Sequence, residues 1–205
     1  MDNKALYNLS YGVFVLGSKM GGKINACITN TCMQVASEPL RVAISVLNQN
    51  YTCEMIKQSG VFALSILDVN TPFELIKRFG YQSGRSADKF AGFEFETDKN
   101  GCPYVRANAC ALLSCKVLSA TDLGTHTLFV AEIEDAKVLN SNPPMTYAHY
   151  QSNVKPKTKI ESNKKIIGWH CKICGYEYEG AQLPSDFKCP LCGHPVDDFE
   201  PIYEG

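Results

Sequence analysis

Asn25-Ala-Cys-Ile-Thr-Asn-Thr-Cys-Met-Gln-Val-Ala-Ser-Glu-Pro39 is the stretch that decides how the front of the chain is read. It is rich in small and hydroxyl side chains. It follows Gly21-Gly22, a hairpin turn signal. It precedes residues 41–47, where Val42, Ile44 and Val46 alternate onto one face of a strand. Set between strands, such a stretch offers backbone amides and hydroxyls to a planar polar ring. Asn48-Gln-Asn-Tyr-Thr52 then opens a helix, and a helix N-terminus bearing Asn and Thr is a natural phosphate seat. Arg85 and Lys89, in Ser83-Gly-Arg-Ser-Ala-Asp-Lys89, add positive charge to that seat.

On either side, residues 11–16, 61–67, 109–117 and 127–138 read as further strands. Phe62, Leu64 and Ile66 repeat the alternation. Two short helices interrupt them. Thr52 is placed to cap the first, which ends before Gly60. The second has Thr71 at the N-cap, Pro72 at the first helical position, Glu74 completing a capping box, and Gly80 as its stop. Many strands with few helices point to a mainly β, closed or partly closed barrel. No GxGxxG follows a strand, which argues against a dinucleotide-binding Rossmann unit.

The chain has 205 residues, which suits one medium domain and a small appendage. Its formal net charge of -1 gives no global electrostatic case for nucleic acid or a membrane surface. The N-terminus lacks an apolar leader and no stretch is long enough to span a bilayer, so the expected location is cytoplasmic. In that compartment, ten cysteines argue for metal or redox chemistry rather than a disulfide framework. Cys32, Cys53, Cys110 and Cys115 read as small buried hydrophobes. Cys102, before Pro103, reads as an exposed loop thiol.

Charge is unevenly placed. Residues 155–165 carry five lysines and one glutamate. Asn140 onward, through Pro143-Pro144, reads as an exit segment leading into this lysine-rich linker. The expected division is a barrel over 1–150, a linker over 151–166 and a tail module over 167–205. The tail is acidic, with Asp197, Asp198 and Glu200 close together.

The tail holds Trp169-His-Cys-Lys-Ile-Cys-Gly-Tyr176 and Cys189-Pro-Leu-Cys-Gly193. Each C-x-x-C presents two thiolates from a tight turn, and Gly175 and Gly193 permit the backbone to curl toward sulfur. Cys171, Cys174, Cys189 and Cys192 thus form a four-thiolate site for one iron or one zinc.

The segment from Trp169 to Phe199 resembles a rubredoxin, in the shortened form attached to rubrerythrins. The resemblance rests on Trp169, CxxCGY at 171–176, Tyr178, CPxCG at 189–193 and Phe199. It implies iron as an electron carrier. The loop between the cysteine pairs is shorter than in free-standing rubredoxins.

The front resembles the flavin reductase family with its FMN-binding split β-barrel. The motifs are NACITNT at 25–31, QVASEP at 34–39, ISVLNQNYT at 44–52, SGRSADKF at 83–90, GTHTLFVAEI at 124–133 and MTYAHY at 145–150. The family implies a homodimer with FMN near the subunit interface. By position, Asn25, Ala26, Cys27, Ile28, Thr29, Asn30 and Thr31 would line the isoalloxazine. Ser45, Asn48, Gln49, Asn50, Tyr51 and Thr52 would hold the ribityl chain and phosphate, and Arg85 would support the phosphate or the partner subunit. Gln49 departs from the pattern, since relatives commonly carry a lysine near there. His126 stands where the family places a histidine facing flavin and nicotinamide, and is the candidate catalytic residue.

Together the two parts resemble the high-molecular-weight rubredoxins of anaerobic bacteria and archaea. That resemblance implies an NAD(P)H-dependent oxidoreductase that passes electrons through FMN to the tail iron and on to an acceptor protein. The usual acceptor is a flavodiiron protein that reduces oxygen or nitric oxide. Two other readings stand beside it: a flavin reductase supplying reduced FMN to a partner, with a structural zinc tail, and a non-enzymatic flavin-binding redox sensor.

Overall fold

The computed structural model describes residues 3–156, 165–173, 175–191, 193 and 195–204. Two compact units emerge, residues 1–155 and 156–205.

In the first unit, the strands are β1 (Phe14–Met20), β2 (Lys23–Thr29), β3 (Met33–Ser37), β4 (Leu40–Leu47), β5 (Val61–Leu67), β6 (Glu96–Thr97), β7 (Pro103–Tyr104), β8 (Ala109–Asp122) and β9 (His126–Val138). Helix α1 (Tyr51–Ser59) follows β4, and α2 (Phe73–Gly80) follows β5. Seven strands form one sheet in the order β2-β1-β5-β8-β9-β4-β3. Here the connectivity dictates the shape. Strands β2 and β3 are the two edges, yet only residues 30–32 join them. Laid flat, six strand spacings would separate the edges by roughly 29 Å. A three-residue link, four Cα steps from Thr29 to Met33, reaches only about 14 Å. The sheet must therefore curl until its edges approach, which makes a barrel split along the β2–β3 seam. Thr31 bridges that seam: its Oγ1 donates to the Ser45 carbonyl at 2.6 Å and accepts from the Ser45 N–H at 3.1 Å.

Strand β1 is buried on both faces, and its alternation sorts its residues into two cores. Phe14 and Leu16 join Ile44, Val46, Phe62, Leu64 and Phe129 in one. Val15, with Val13 just before the strand, joins Leu75, Ile76 and Phe79 of α2 in the other.

Several expectations need correction. The first helix is capped by Asn50, whose side chain accepts from the Thr52 N–H at 3.0 Å, while Gly60 ends it in a left-handed turn at φ 70°. The capping box at the second helix does not form. Thr71 turns its hydroxyl to the carbonyls of Asp68 (2.7 Å) and Asn108 (3.0 Å), and Pro72 caps without a side-chain bond. The exit segment is tied into the barrel. Met145 donates to the Leu67 carbonyl and accepts from Val13 N–H, and Met145 and Tyr150 are buried against α2.

Cys102 is also not exposed. It is fully buried, and burial beside Asp98 pushes its thiol up to about 12. Burial likewise raises Cys32 to about 12 and lifts Cys27, Cys53, Cys110 and Cys115. An unfolded thiol titrates at about 8.5. Folded pKa values above the unfolded one give stability that is complete below about pH 8.5 and declines as pH rises toward the folded values. The melting temperature of the first unit should therefore fall steadily above pH 9. At pH 8, iodoacetamide should leave Cys102 unlabelled in the native protein and label it fully in urea, as read by mass spectrometry.

The second unit has a three-stranded sheet, β11-β10-β12, built from β10 (Ile166–Cys171), β11 (Glu177–Glu179) and β12 (Phe199–Tyr203). Phe187 gathers its aromatic side: Tyr178 lies 4.8 Å away edge-on and Phe199 5.6 Å away. The motif reading passed over Phe187, because no cysteine spacing marks it.

Candidate functional site

The candidate flavin residues form one connected set at one end of the barrel. It starts at the seam. Thr29 and Thr31 bring their hydroxyls within 3.3 Å, and Thr31 clamps the Ser45 backbone. Two residues on, Leu47 pairs with His126, and the Asn48 N–H donates to the Thr125 carbonyl. The other arm runs through β2. Buried Asn25 donates from Nδ2 to the buried Thr52 Oγ1 at 2.9 Å, placing the start of β2 under the first turn of α1. Ala26 and Cys27 are buried, and Ile28 packs partly against the α2 core.

Not every candidate side chain is available for a ligand. The Asn48 amide donates to the Gly124 carbonyl (2.8 Å) and Asp122 (3.3 Å), and its oxygen accepts from Thr127 (2.6 Å) and Lys57 (3.4 Å). That uses the amide fully. Asn48 ties the β8–β9 turn to the mouth of α1, and Thr127, buried on β9, completes the tie. The Gly124 N–H, which donates to Asp122 at 2.8 Å, and the Asn48 amide hold the Asp122 carboxyl below the usual carboxylate range.

Other groups fit a flavin better. The Asn30 amide and Ser45 hydroxyl are half-buried and have no side-chain hydrogen-bond partner among the described residues. They are polar groups held at the seam with capacity for a polar ring edge. Arg85 Nη2 lies 2.7 Å from Glu54, and its guanidinium sits 4.8 Å over the Tyr51 ring. A half-exposed arginine fork beside the first turn of a helix suits a phosphate, which would compete with Glu54. Gln49 is exposed at the same turn. His126 is half-buried, and Thr125 Oγ1 lies 2.8 Å from its Nδ1, fixing the ring.

Two features escaped the sequence reading. A Cβ at Gly84 would fall 2.2 Å from Asn25 Oδ1, so only glycine lets the 83–90 loop lie against the Asn25–Thr52 pair. Gly84→Ala should push Asn25 off Thr52, cost about 1–3 kcal/mol of stability, and weaken FMN binding by about tenfold or more. Thermal melting and fluorescence titration check both. Lys89 is the second. It does not extend toward a phosphate. Its Nζ is buried and donates at 2.9 Å to the carbonyls of Ala26 and Phe79.

In the second unit, Cys171 and Cys189 are buried, and each opens the same turn. Gly175 N–H donates to the Cys171 carbonyl at 2.9 Å, and Gly193 N–H to the Cys189 carbonyl at 2.8 Å. Both glycines have positive φ, 81° and 74°. Two equivalent knuckles with buried thiols fit a tetrahedral thiolate metal. Cys174 and Cys192 lie outside the described residues. Asp198 is buried, so it contributes no surface charge.

Comparison with known proteins decides the family. Residues 6–157 match the model of the flavin reductase like domain. The chain belongs to that family. Residues 169–200 match the rubredoxin-like domain of rubrerythrin. A high molecular weight rubredoxin of Moorella thermoacetica is 35% identical over 229 aligned positions, covering 98% of this chain and 100% of that protein. A ferric-chelate reductase (NAD(P)H) of Archaeoglobus fulgidus is 40% identical over 158 positions, covering 77% of this chain and 94% of that protein. In fold, the NADH:FAD oxidoreductase SgcE6 of Streptomyces globisporus superposes with a TM-score of 0.63 at 22% identity, over 69% of this chain and 84% of that one. This flavin reductase family member is a flavin-dependent NAD(P)H oxidoreductase with a rubredoxin-like iron domain. No helix among its described residues is long and apolar enough to cross a membrane.

Proposed function

We propose that this flavin reductase takes hydride from NAD(P)H at an FMN held by the barrel and delivers electrons singly, by way of the tail iron, to an acceptor protein. The observation that carries this reading is the pairing, on one chain, of a flavin reductase barrel with two matched thiolate knuckles. FMN supplies the conversion, since it accepts two electrons together and releases them one at a time.

The chain's own residues do the placing. Asn30 and Ser45 present polar groups to the ring edge, and Asn25 through Thr31 shape the strand beneath it. Tyr51 at the first turn of α1, with Arg85, holds the phosphate end, while Asn50 and buried Thr52 are spent on the cap and on Asn25 and build the turn rather than contact the phosphate. Thr125 holds His126 in one orientation, where it positions the nicotinamide. Cys171, Cys174, Cys189 and Cys192 hold the iron. The protein is a homodimer in this reading, and the exposed Met33, Val35 and Leu40 on the β3–β4 hairpin suit a subunit contact. A flavodiiron protein that consumes oxygen or nitric oxide is the proposed acceptor.

Acceptor docking follows from charge on the tail sheet. Across the three strands, His170 pairs in register with Glu177 and with Glu200, and Gly168 with Glu179. Glu177, Glu179 and Glu200 therefore share one exposed face, opposite Trp169 and Cys171. This face, rather than Asp197 and Asp198, is the expected docking surface for a basic acceptor. The triple change E177Q/E179Q/E200Q should slow acceptor reduction about tenfold at low salt and flatten its salt dependence, with flavin reduction by NAD(P)H unchanged. Equal rates at low and high salt in both proteins would reject the docking role. Metal and flavin analysis tests the proposal as a whole. It predicts one FMN and one iron per chain, and a stoichiometrically zinc-loaded tail from iron-replete cells would sink it.

A further inference from the structure

Lys89 is a charged group buried where a neutral one would pack at lower cost. It is 3% exposed. Two of its ammonium protons go to carbonyls, Ala26 on β2 and Phe79 in the last turn of α2, each at 2.9 Å. No carboxylate pairs with it among the described residues. Burial lowers the Lys89 pKa from its ordinary value, and the titratable group facing it is Cys27, itself a buried thiol held protonated. The C-terminal end of α2 compensates part of the charge. Satisfying two carbonyls requires donors and not a full positive charge, and a methionine would fill the same space without desolvating an ion.

The placement of that charge is informative. Strand β2 is an edge of the sheet, and Lys89 closes on its outer carbonyl at Ala26. Arg78 fixes the segment in turn, donating to the carbonyls of Lys89 and Ala91 at 3.2 Å. The charge is thus locked against residues 25–31, the strand read as lying along the flavin ring. Hydride transfer changes the charge there. One C–H bond of the nicotinamide breaks and one N–H bond forms on the flavin. Two electrons and one proton move together, so the donor becomes cationic and the neutral ring becomes an anion. A buried positive charge on the Ala26 carbonyl of that strand would oppose the cost of the new negative charge, acting through the Ala26 peptide dipole it polarises.

We propose that Lys89 is a positioning residue whose buried charge makes the site prefer reduced, anionic FMN over oxidised, neutral FMN. This rests on the reading of residues 25–31 as the flavin strand. The test is the dissociation constant of FMN from the full chain in both redox states, measured anaerobically for wild type, K89M, K89Q and K89R. K89Q keeps a donor for the carbonyls and removes the charge, and K89R keeps the charge. Wild type should bind reduced FMN more tightly than oxidised FMN. In K89Q, and in K89M if it folds, that preference should shrink about tenfold, a two-electron potential about 30 mV lower. K89R should keep the wild-type ratio. If both constants rise by the same factor in K89Q, leaving the ratio unchanged, Lys89 is a structural clamp alone and the proposal is overturned. If wild type binds no FMN at one per chain, the reading of the flavin site fails instead.

Discussion

Replacing Cys171 with serine should strip the tail of its metal and stop electron delivery to the acceptor, while NAD(P)H still reduces the flavin at the wild-type rate. Cys171 ends β10 and is fully buried. Its N–H donates to the Tyr176 carbonyl at 2.7 Å and its carbonyl accepts from Gly175, so the thiol is aimed by both sides of one turn. A serine hydroxyl stays protonated at neutral pH and is a poor, hard ligand for a thiolate metal. The module is small, with a sheet of three short strands. For modules of this size, metal binding supplies on the order of 10 kcal/mol of apparent folding free energy. Losing a ligand should therefore unfold the tail as well as empty it. Metal analysis and limited proteolysis read this directly. The flavin unit forms its own compact body and should survive intact. Full metal retention in C171S would show that this cysteine is not a ligand.

Asp68→Ala should be the most damaging single change in the barrel outside its apolar cores. Asp68 is 1% exposed. One carboxylate oxygen accepts from the Asn70 N–H at 2.9 Å, and the other accepts from the side-chain amides of Asn140 and Asn142, both at 3.0 Å. Its backbone N–H donates to Asn108. One carboxylate thus joins the end of β5, the turn before α2 and the segment leaving β9. Hydrogen bonds to a charged group contribute about 1.5–3 kcal/mol each, and their partners would be left unpaired. A net loss of about 3–4 kcal/mol is expected, lowering the melting temperature by roughly 6–15 °C for a unit of this size. D68N keeps the shape but turns an amide donor toward the two asparagine donors, so it should recover only part of the loss. A melting temperature within about 1 °C of wild type for D68A would contradict the role.

These two sites differ in how readable they were from sequence. The knuckles are local: two cysteines, a spacing and a glycine define each one, and Gly175 and Gly193 behave as the motif requires. The Asp68 clamp joins residues 72 and 74 positions apart, and nothing beside Asp68 announces it. That is why the sequence marks only an exit segment where residues 143–147 are stitched between residues 11–13 and 67–69. The strands were legible from alternation, but their order was not. Pairs such as β5–β8 and β4–β9 are set by shape and burial across the whole chain.

The same contrast holds within the flavin site. NACITNT announced a polar strand. It did not announce that Thr31 would be committed to closing the barrel seam while Asn30 beside it stayed available. The Lys89 charge was legible in SGRSADKF and its direction was not. Phe90, its neighbour, is buried in the α2 core, and that anchoring turns the lysine inward rather than toward the phosphate end. Thr71 was misread for a related reason. The carbonyls of Asp68 and Asn108 compete with the helix for its hydroxyl, and Asn108 comes from a distant part of the chain.

Reducing equivalents entering at the flavin are proposed to leave through the tail metal. An anaerobic stopped-flow experiment mixing the purified protein with NADH, and separately with NADPH, tests this route most directly. The flavin absorbance should bleach first and the visible absorbance of the ferric tetrathiolate should follow, at a rate independent of protein concentration. A fully bleached flavin beside an unchanged ferric tetrathiolate spectrum would contradict this route.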